Sequence, residues 1–307
     1  MNLVIGGFGF LGSCIARELF ENNMQVRVLD MHDSAILNDL RLDIEIIIGD
    51  VNEPDVLAKA LSGVDTVFYF TSDSFPVMNH PSLRLEIGNT LQTLDKTLSA
   101  MRDMDVAKIV FPSSGGTIYG EVPDGFARED TPLQPLSAHG AGKQLSEEII
   151  KYYSRVYGIN ALLLRISNVY GCPFYRRVQQ GAIDIFIQRA ISGEAIELWG
   201  DPTAIVRDYL YIDDLCSAVI SLLKLNNKGV EPYNIASGVG KSLRDVIDCI
   251  ETKMGTPINK IIRSDKYSGI NRSILRIEKI KNRTAWTPVY SLEDGVERTI
   301  LRKQTGL

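Results

Sequence analysis

Along the first 170 positions apolar residues fall into short continuous blocks, and between the blocks they recur every three or four residues. NLVIGG (2–7), QVRVLD (25–30), IEIIIGD (44–50), DTVFYF (65–70), KIVFPSS (108–114) and ALLLRISNVYG (161–171) read as strands. The spacing predicts helices over Ser13–Asn23, 54–62, Glu86–Met101 and 139–156, the last stopped by Gly158. Val- and Ile-rich strands alternating with helices imply a parallel sheet covered on both faces. After residue 170 the pattern changes. A loop rich in Pro, Tyr and Arg precedes a helix over 182–192, and IELW (196–199) is strand-like. RDYLYIDDLCSAVISLL (207–223) reads as a short strand plus helix, PYNIA (232–236) as a strand, and two more helices are expected near 242–254 and 291–304. The expected fold is α/β, a doubly wound, Rossmann-like parallel sheet with a second, smaller α+β domain. Residues 1–168 plus 206–238 are assigned to a dinucleotide-binding domain, and 169–205 plus 239–307 to a substrate domain.

VIGGFGFLGS (4–13) sharpens this picture, because it sets Gly6, Gly9 and Gly12 between the first strand and the first helix. A tight turn, close backbone approach to a pyrophosphate and helix packing each favour glycine there. Asp30 ends the second strand eighteen residues beyond Gly12. A carboxylate at that place accepts hydrogen bonds from a ribose and repels a 2′-phosphate, which favours NAD over NADP. GDV (Gly49–Val51) ends the third strand and suits an adenine edge, bringing in Asp50 and Val51.

Composition narrows the class. The 307 residues are 45% hydrophobic and 23% charged, with a net charge of −5, ordinary values for a globular chain. An acidic balance gives no general field for nucleic acid or an anionic membrane. Cys14, Cys172, Cys216 and Cys249 show no C-x-x-C spacing and are expected to be reduced thiols rather than a metal site. The start, MNLVIGGFGFLG, has no charged leader before an apolar core, and no apolar run reaches a membrane span, so a soluble cytoplasmic protein is expected.

Several further segments carry a family resemblance over nearly the whole chain: FPSSGGTIYGE (111–121), LRISNVYG (164–171), QQGAIDIFIQRAISGEAIELWGD (179–201) followed by VRDYLYIDDL (206–215), and YNIASGVGKSLRDVI (233–247). Together with the glycine loop they resemble the extended short-chain dehydrogenase/reductase family, specifically nucleotide-sugar epimerases similar to UDP-glucose 4-epimerase. The resemblance implies NAD as cofactor, a UDP-sugar substrate, a homodimer formed through helices 86–101 and 139–156, and a place in polysaccharide precursor supply. It implies that Phe8, Phe10 and Leu11 line the pyrophosphate turn, and that Met31, Phe70, Thr71, Ser113 and Ile166 lie by the cofactor. Asn168 and Arg207 would hold the substrate diphosphate, Glu197 and Trp199 would lie on the substrate side, and Lys266 and Arg272 are candidates for a second phosphate clamp. RSDKYSGINRS (263–273) departs from the family's order at that clamp.

The departure that matters most lies in SAHGAGK (137–143). The family's active site is Tyr-x-x-x-Lys plus an upstream Ser or Thr. Here Lys143 is kept, and His139 occupies the tyrosine position. Four residues on a helix put both on one face. The position most often given to the hydroxyl is Gly115, which leaves Ser113, Ser114 or Thr117 to supply it. Three readings of His139 stay open. A neutral imidazole takes the sugar hydroxyl proton, the site is catalytically impaired, or the ring is a packing residue. The implied chemistry is epimerisation at C4 of a UDP-hexose through a 4-keto intermediate, with a nucleotide-4-keto-sugar reductase as the nearer enzymatic rival. A 4,6-dehydratase needs Thr-Asp-Glu where this chain reads GGT.

Overall fold

The computed structural model describes residues 1–34, 44–71, 83–174, 181–263 and 269–305. In chain order the elements are β1 (Asn2–Ile5), α1 (Phe10–Glu21), β2 (Val26–Asp30), β3 (Glu45–Ile48), α2 (Pro54–Leu61), β4 (Thr66–Tyr69), α3 (Leu83–Asp103), β5 (Lys108–Ser114), β6 (Phe126–Ala127), α4 (Ala138–Tyr157), β7 (Asn160–Ile166) and β8 (Asn168–Tyr170). There follow α5 (Ala182–Ile191), β9 (Ile196–Trp199), β10 (Val206–Tyr211), α6 (Ile212–Leu223), β11 (Val230–Ile235), β12 (Gly240–Ser242), α7 (Leu243–Met254), β13 (Lys260–Arg263), β14 (Arg272–Leu275), α8 (Glu278–Thr284) and α9 (Leu292–Thr305).

Seven strands form one parallel sheet in the order β11-β7-β5-β4-β1-β2-β3. Successive residues of its strands enter opposite cores. Leu3, Val67, Ile109 and Leu163 pack in one apolar cluster, while Val4, Phe68, Val110 and Leu164 pack in the other, all of them fully buried. Burial on both faces is what makes these strands apolar at consecutive rather than alternate positions. The strand order reverses beside β1, which has β2 on one side and β4 on the other. The crevice at the carboxyl ends of β1 and β4 is therefore the switch point where such folds bind ligands.

A second sheet runs β12-β10-β14-β6, with β8 paired to β10. Residues 206–238 thus serve both sheets, β10 in the second and β11 in the first. The stretch 161–171, expected as one strand, divides at Ser167. Its first part pairs with β5 and β11 through Ile166, Ser167 N–H donates to the Ile235 carbonyl (3.0 Å), and Asn168–Tyr170 cross to β10. The first helix starts at Phe10, three residues before the expected Ser13, because the glycine turn runs directly into it. β6, β12, β13, β14 and α8 were not predicted. Each of these strands is held by a partner distant in sequence, such as Ile274 opposite Phe126, so local periodicity carries little of the signal.

Helix α4 has clear local reasons for its ends. The Ser137 side chain accepts from Gly140 N–H, and Gly158 takes the left-handed conformation (φ 76°) that closes it.

Candidate active site

Gly6 follows β1 with φ 76°, a conformation that disfavours side chains. A Cβ on Gly12 would stand 2.1 Å from the Gly6 carbonyl oxygen, so position 12 tolerates only hydrogen. Gly9, the N-cap, gives α1 no side-chain cap, and the first turn carries no acid. The positive end of the helix dipole is therefore left for an external anion. Ser13 Oγ is buried with no hydrogen-bond partner among the described residues. Asp30 closes the far side of the turn by accepting from Phe8 N–H at 2.9 Å, and His32 N–H lies 3.4 Å from its other oxygen. A turn closed to side chains at Gly6 and Gly12, an uncapped helix start and a carboxylate at the end of β2 fit an adenine dinucleotide. Gly7, which sequence reasoning did not assign, is equally constrained, because a Cβ there would meet Val28 Cγ1 at 2.5 Å.

The other cofactor candidates surround the same crevice. A Cβ on Gly6 would meet Thr71 N at 2.8 Å, which places Phe70 and Thr71 against the glycine turn. Phe8 and Val51 are buried, Phe10 and Leu11 are half-buried and pack on the core, and Met31 is exposed. Asp50 turns back to accept from Asn52 N–H (2.8 Å). Ile166 is buried at the end of β7. Replacing Asp30 by alanine is expected to weaken NAD binding about 10- to 100-fold, the range for losing a hydrogen bond to a charged group. It should also narrow the preference for NAD over NADP. Calorimetric titration with both dinucleotides checks this, and an unchanged ratio would remove Asp30 from the ribose site.

On the other side of the crevice α4 crosses the end of β5. Lys143 is buried, its Nζ donates to the Pro112 carbonyl at 2.8 Å, and it lies 4.9 Å from the Phe111 ring centre. Burial pulls the Lys143 ammonium down to about 8, against the opposing pull of Glu147. His139, one turn earlier and 9% exposed, is pushed down to about 4 by burial and then by the Lys143 charge. Its ring is neutral at ordinary pH and has a nitrogen able to accept a proton. Thr117 Oγ1 donates to Ser114 Oγ (2.8 Å). A Cβ on Gly140 would lie 2.5 Å from the Thr117 carbonyl, so the 114–117 turn abuts the first turn of α4 beside His139.

Gly115 is closed to any side chain, since a Cβ would come within 2.3 Å of Leu275 Cδ1 and 2.9 Å of the Arg165 carbonyl. Position 115 therefore supplies no hydroxyl, and the bonded pair Ser114–Thr117 flanks it in the same turn. Ser113 has a different engagement, for its Oγ donates to Glu147 Oε1 at 2.7 Å.

Asn168, Arg207 and Arg272 lie on the second sheet, whereas Glu197 and Trp199 lie on β9, which pairs with β13 in a separate two-stranded sheet. Asn168 pairs opposite Tyr209, its amide donates to the Asp208 carbonyl (3.0 Å), and it faces Gly116, whose Cβ would be 3.8 Å from Nδ2. Val206 is in register with Arg272, which brings Arg207 and Arg272 to neighbouring strands. Arg207 donates to the carbonyls of Val206 (2.8 Å), Asn271 (3.1 Å) and Ile270 (2.6 Å), and Arg272 lies over the Phe126 ring. Trp199 is 55% exposed at the end of β9, which excludes a core role for it. Glu197 on the same strand is 3.7 Å from Arg263. Lys266 lies outside the described residues.

Sequence reasoning missed the buried polar groups behind the site. Glu147 and Arg165 form an ion pair under α4, and Asp208 accepts from Ser237 N–H, Ser237 Oγ and Gly238 N–H. Burial raises Asp208 to about 6. A signal for the first pair existed, because an arginine inside LLLRI needs a buried counter-charge.

Residues 2–236 match the NAD dependent epimerase/dehydratase family. The UDP-glucose 4-epimerase of Corynebacterium glutamicum is 31% identical over 302 residues, covering 94% of this chain and 91% of that one. A dTDP-4-dehydro-6-deoxyglucose reductase of Escherichia coli is 27% identical over 309 residues, covering 97% and 96%. The crystal structure of the Thermus thermophilus UDP-glucose 4-epimerase in complex with NAD superposes with a TM-score of 0.88 at 27% identity, covering 100% of this chain and 99% of that one.

Proposed function

The chain belongs to the NAD dependent epimerase/dehydratase family, and from that premise we propose that it epimerises C4 of a UDP-hexose, of the glucose/galactose pair or its N-acetyl form, through a 4-keto intermediate. The observation that carries this reading is the burial of a neutral His139 one turn ahead of Lys143, at the strand ends that also carry the glycine turn. NAD, when bound, supplies the hydride acceptance and return that the chemistry requires. The chain's own residues hold and orient. The glycine turn and the start of α1 take the pyrophosphate, Asp30 takes the adenosine ribose, and Lys143 takes the nicotinamide ribose. His139 accepts the 4-hydroxyl proton and later gives it back, with Ser114 and Thr117 aligning that hydroxyl. Asn168, Arg207 and Arg272 face the diphosphate, and Trp199 faces the uridine.

Incubation with UDP-glucose and UDP-N-acetylglucosamine, followed by separation of the C4 epimers, tests the proposal. No turnover of either would overturn it. The E. coli relative supports a second reading, a nucleotide-4-keto-sugar reductase. A reductase needs exchangeable NAD(P)H, so NAD retained through purification favours the epimerase.

We further propose a homodimer through α3 and α4. Leu145, Tyr152, Val156 and Tyr157 stand 42–54% exposed on α4, whereas Ile149 and Tyr153 turn inward. Leu145→Glu combined with Val156→Glu is expected to halve the mass seen by sedimentation equilibrium at micromolar concentration. A wild-type monomer would contradict the proposal.

A further inference from the structure

Lys143 and Glu147, four residues apart on α4, land on consecutive residues of β5. Lys143 Nζ donates to the Pro112 carbonyl, and Glu147 accepts from Ser113 Oγ (2.8 and 2.7 Å). One helical turn is thus stepped onto the strand end, with a cation and an anion on one face. Glu147 is fully buried and gripped at two points by Arg165, Nε to Oε1 at 3.0 Å and Nη2 to Oε2 at 2.7 Å. Arg165 is fixed in turn. Its Nη1 donates to Tyr119 OH (3.0 Å) and to the Glu129 carbonyl (2.8 Å). Tyr119 OH donates to Asn234 Oδ1 (2.6 Å), and the Asn234 amide donates to the carbonyls of Ala127, on β6 of the second sheet, and of Arg276, just past the end of β14, both at 3.0 Å. A carboxylate buried this deeply costs far more than it returns unless every lone pair is engaged, and here the engagement runs from α4 to both sheets.

We infer that Glu147 is the positioning residue of the site: clamped between Arg165 and Ser113, its carboxylate sets the register of α4 on β5 and holds Lys143 as an ammonium ion on the Pro112 carbonyl. This rests on the reading of Lys143 as a residue that holds the nicotinamide ribose. A fully buried ammonium loses its proton more easily than an exposed one, and the negative charge one turn below opposes that loss. Among the described residues, the groups facing Lys143 are few. Its own helix presents His139 and Glu147, and β5 presents the Pro112 carbonyl, the Phe111 ring and Ser113. From β7 Arg165 acts through Glu147, and from β4 Tyr69 stacks on Phe111. On α3, Asp95 is bound by Tyr153 and Lys96 by Asn52.

The test is NAD affinity as a function of pH, measured by calorimetry on the full chain, with thermal unfolding recorded for every variant. In the wild type affinity is expected to fall as pH rises past about 8 and the ammonium is lost. Glu147→Gln is expected to move that midpoint down by about one unit, the low end for removing an opposite charge at close range. Glu147→Asp, which keeps the charge, should leave the midpoint in place while weakening binding overall. Glu147→Gln leaves Arg165 buried without its partner and can cost the fold. The double variant Glu147→Gln/Arg165→Gln removes both charges and is expected to shift the midpoint in the same direction but by less, because no unpaired guanidinium is left to repel the ammonium.

A purely structural role would lower the unfolding temperature and leave the midpoint where it was, and that result overturns the inference. So would failure of all three variants to fold, since Glu147 would then be a stability residue. If the wild type shows no alkaline fall, or Lys143→Met binds NAD unchanged, the reading of Lys143 fails first and takes the inference with it. An alkaline fall that Lys143→Met abolishes and the Glu147 variants do not move sinks the inference alone.

Discussion

His139→Ala is expected to lower kcat/KM for UDP-hexose epimerisation by about 10²–10⁴-fold, the range for removing a positioned acid–base group, while NAD affinity stays within about threefold. The ring is buried beside Lys143 and is the one imidazole on the inner face of α4, so no solvent base replaces it at low cost. Its proton affinity sets a second expectation. Burial and the neighbouring ammonium hold His139 near 4 rather than 6.5, and kcat/KM reports the base of the free enzyme. The acid limb of the wild-type profile should therefore lie near pH 4 to 5. A limb at 6.5 would mean that the titrating group is not this histidine.

Stability follows the same sign. A base whose proton affinity is lower folded than unfolded contributes stability that is present above pH 6.5 and lost as pH falls towards 4. The loss is on the order of 3 kcal/mol by simple linkage. Urea unfolding of the alanine variant should lack that component. His139→Tyr decides between a working and an impaired site. A loss of at least about tenfold is expected if imidazole is the base and the pocket is fitted to it. A large gain would identify an epimerase site impaired by the substitution and would overturn the reading.

The second large effect is expected at the glycine turn. Gly12→Ala forces a methyl to within 2.1 Å of a backbone oxygen, and that atom belongs to the turn itself rather than to a flexible side chain. The turn must open, which should weaken NAD binding by at least about 100-fold and cost about 1–3 kcal/mol of stability, the usual range for overpacking. Gly88→Ala on α3 is the control, because a Cβ there meets nothing within 4 Å among the described residues. It should bind NAD normally and gain roughly 0.5–1 kcal/mol from helix propensity. Equal NAD affinities for the two variants would show that Gly12 does not border the cofactor.

What the sequence determined by itself was local. Consecutive apolar blocks, a glycine triplet after a strand and an aspartate one strand later define the doubly wound sheet and its dinucleotide crevice. The four-residue step from His139 to Lys143 puts them on one face of any helix, so the pair was legible before its surroundings were. What only the tertiary structure decided depends on strand order and long-range register. Nothing near Arg165 in sequence says that its counter-charge is Glu147, or that Ser113 completes the clamp. That Gly115 is sealed by Leu275, 160 positions away, follows from β14 joining the second sheet. The turn of the chain at Ser167 was hidden for the same reason. RISNVYG is apolar enough for one strand, and only competition between β11 and β10 for its backbone groups divides it. Periodicity reports how a segment meets its nearest neighbours along the chain, whereas a buried charge is balanced by whatever the fold brings opposite it.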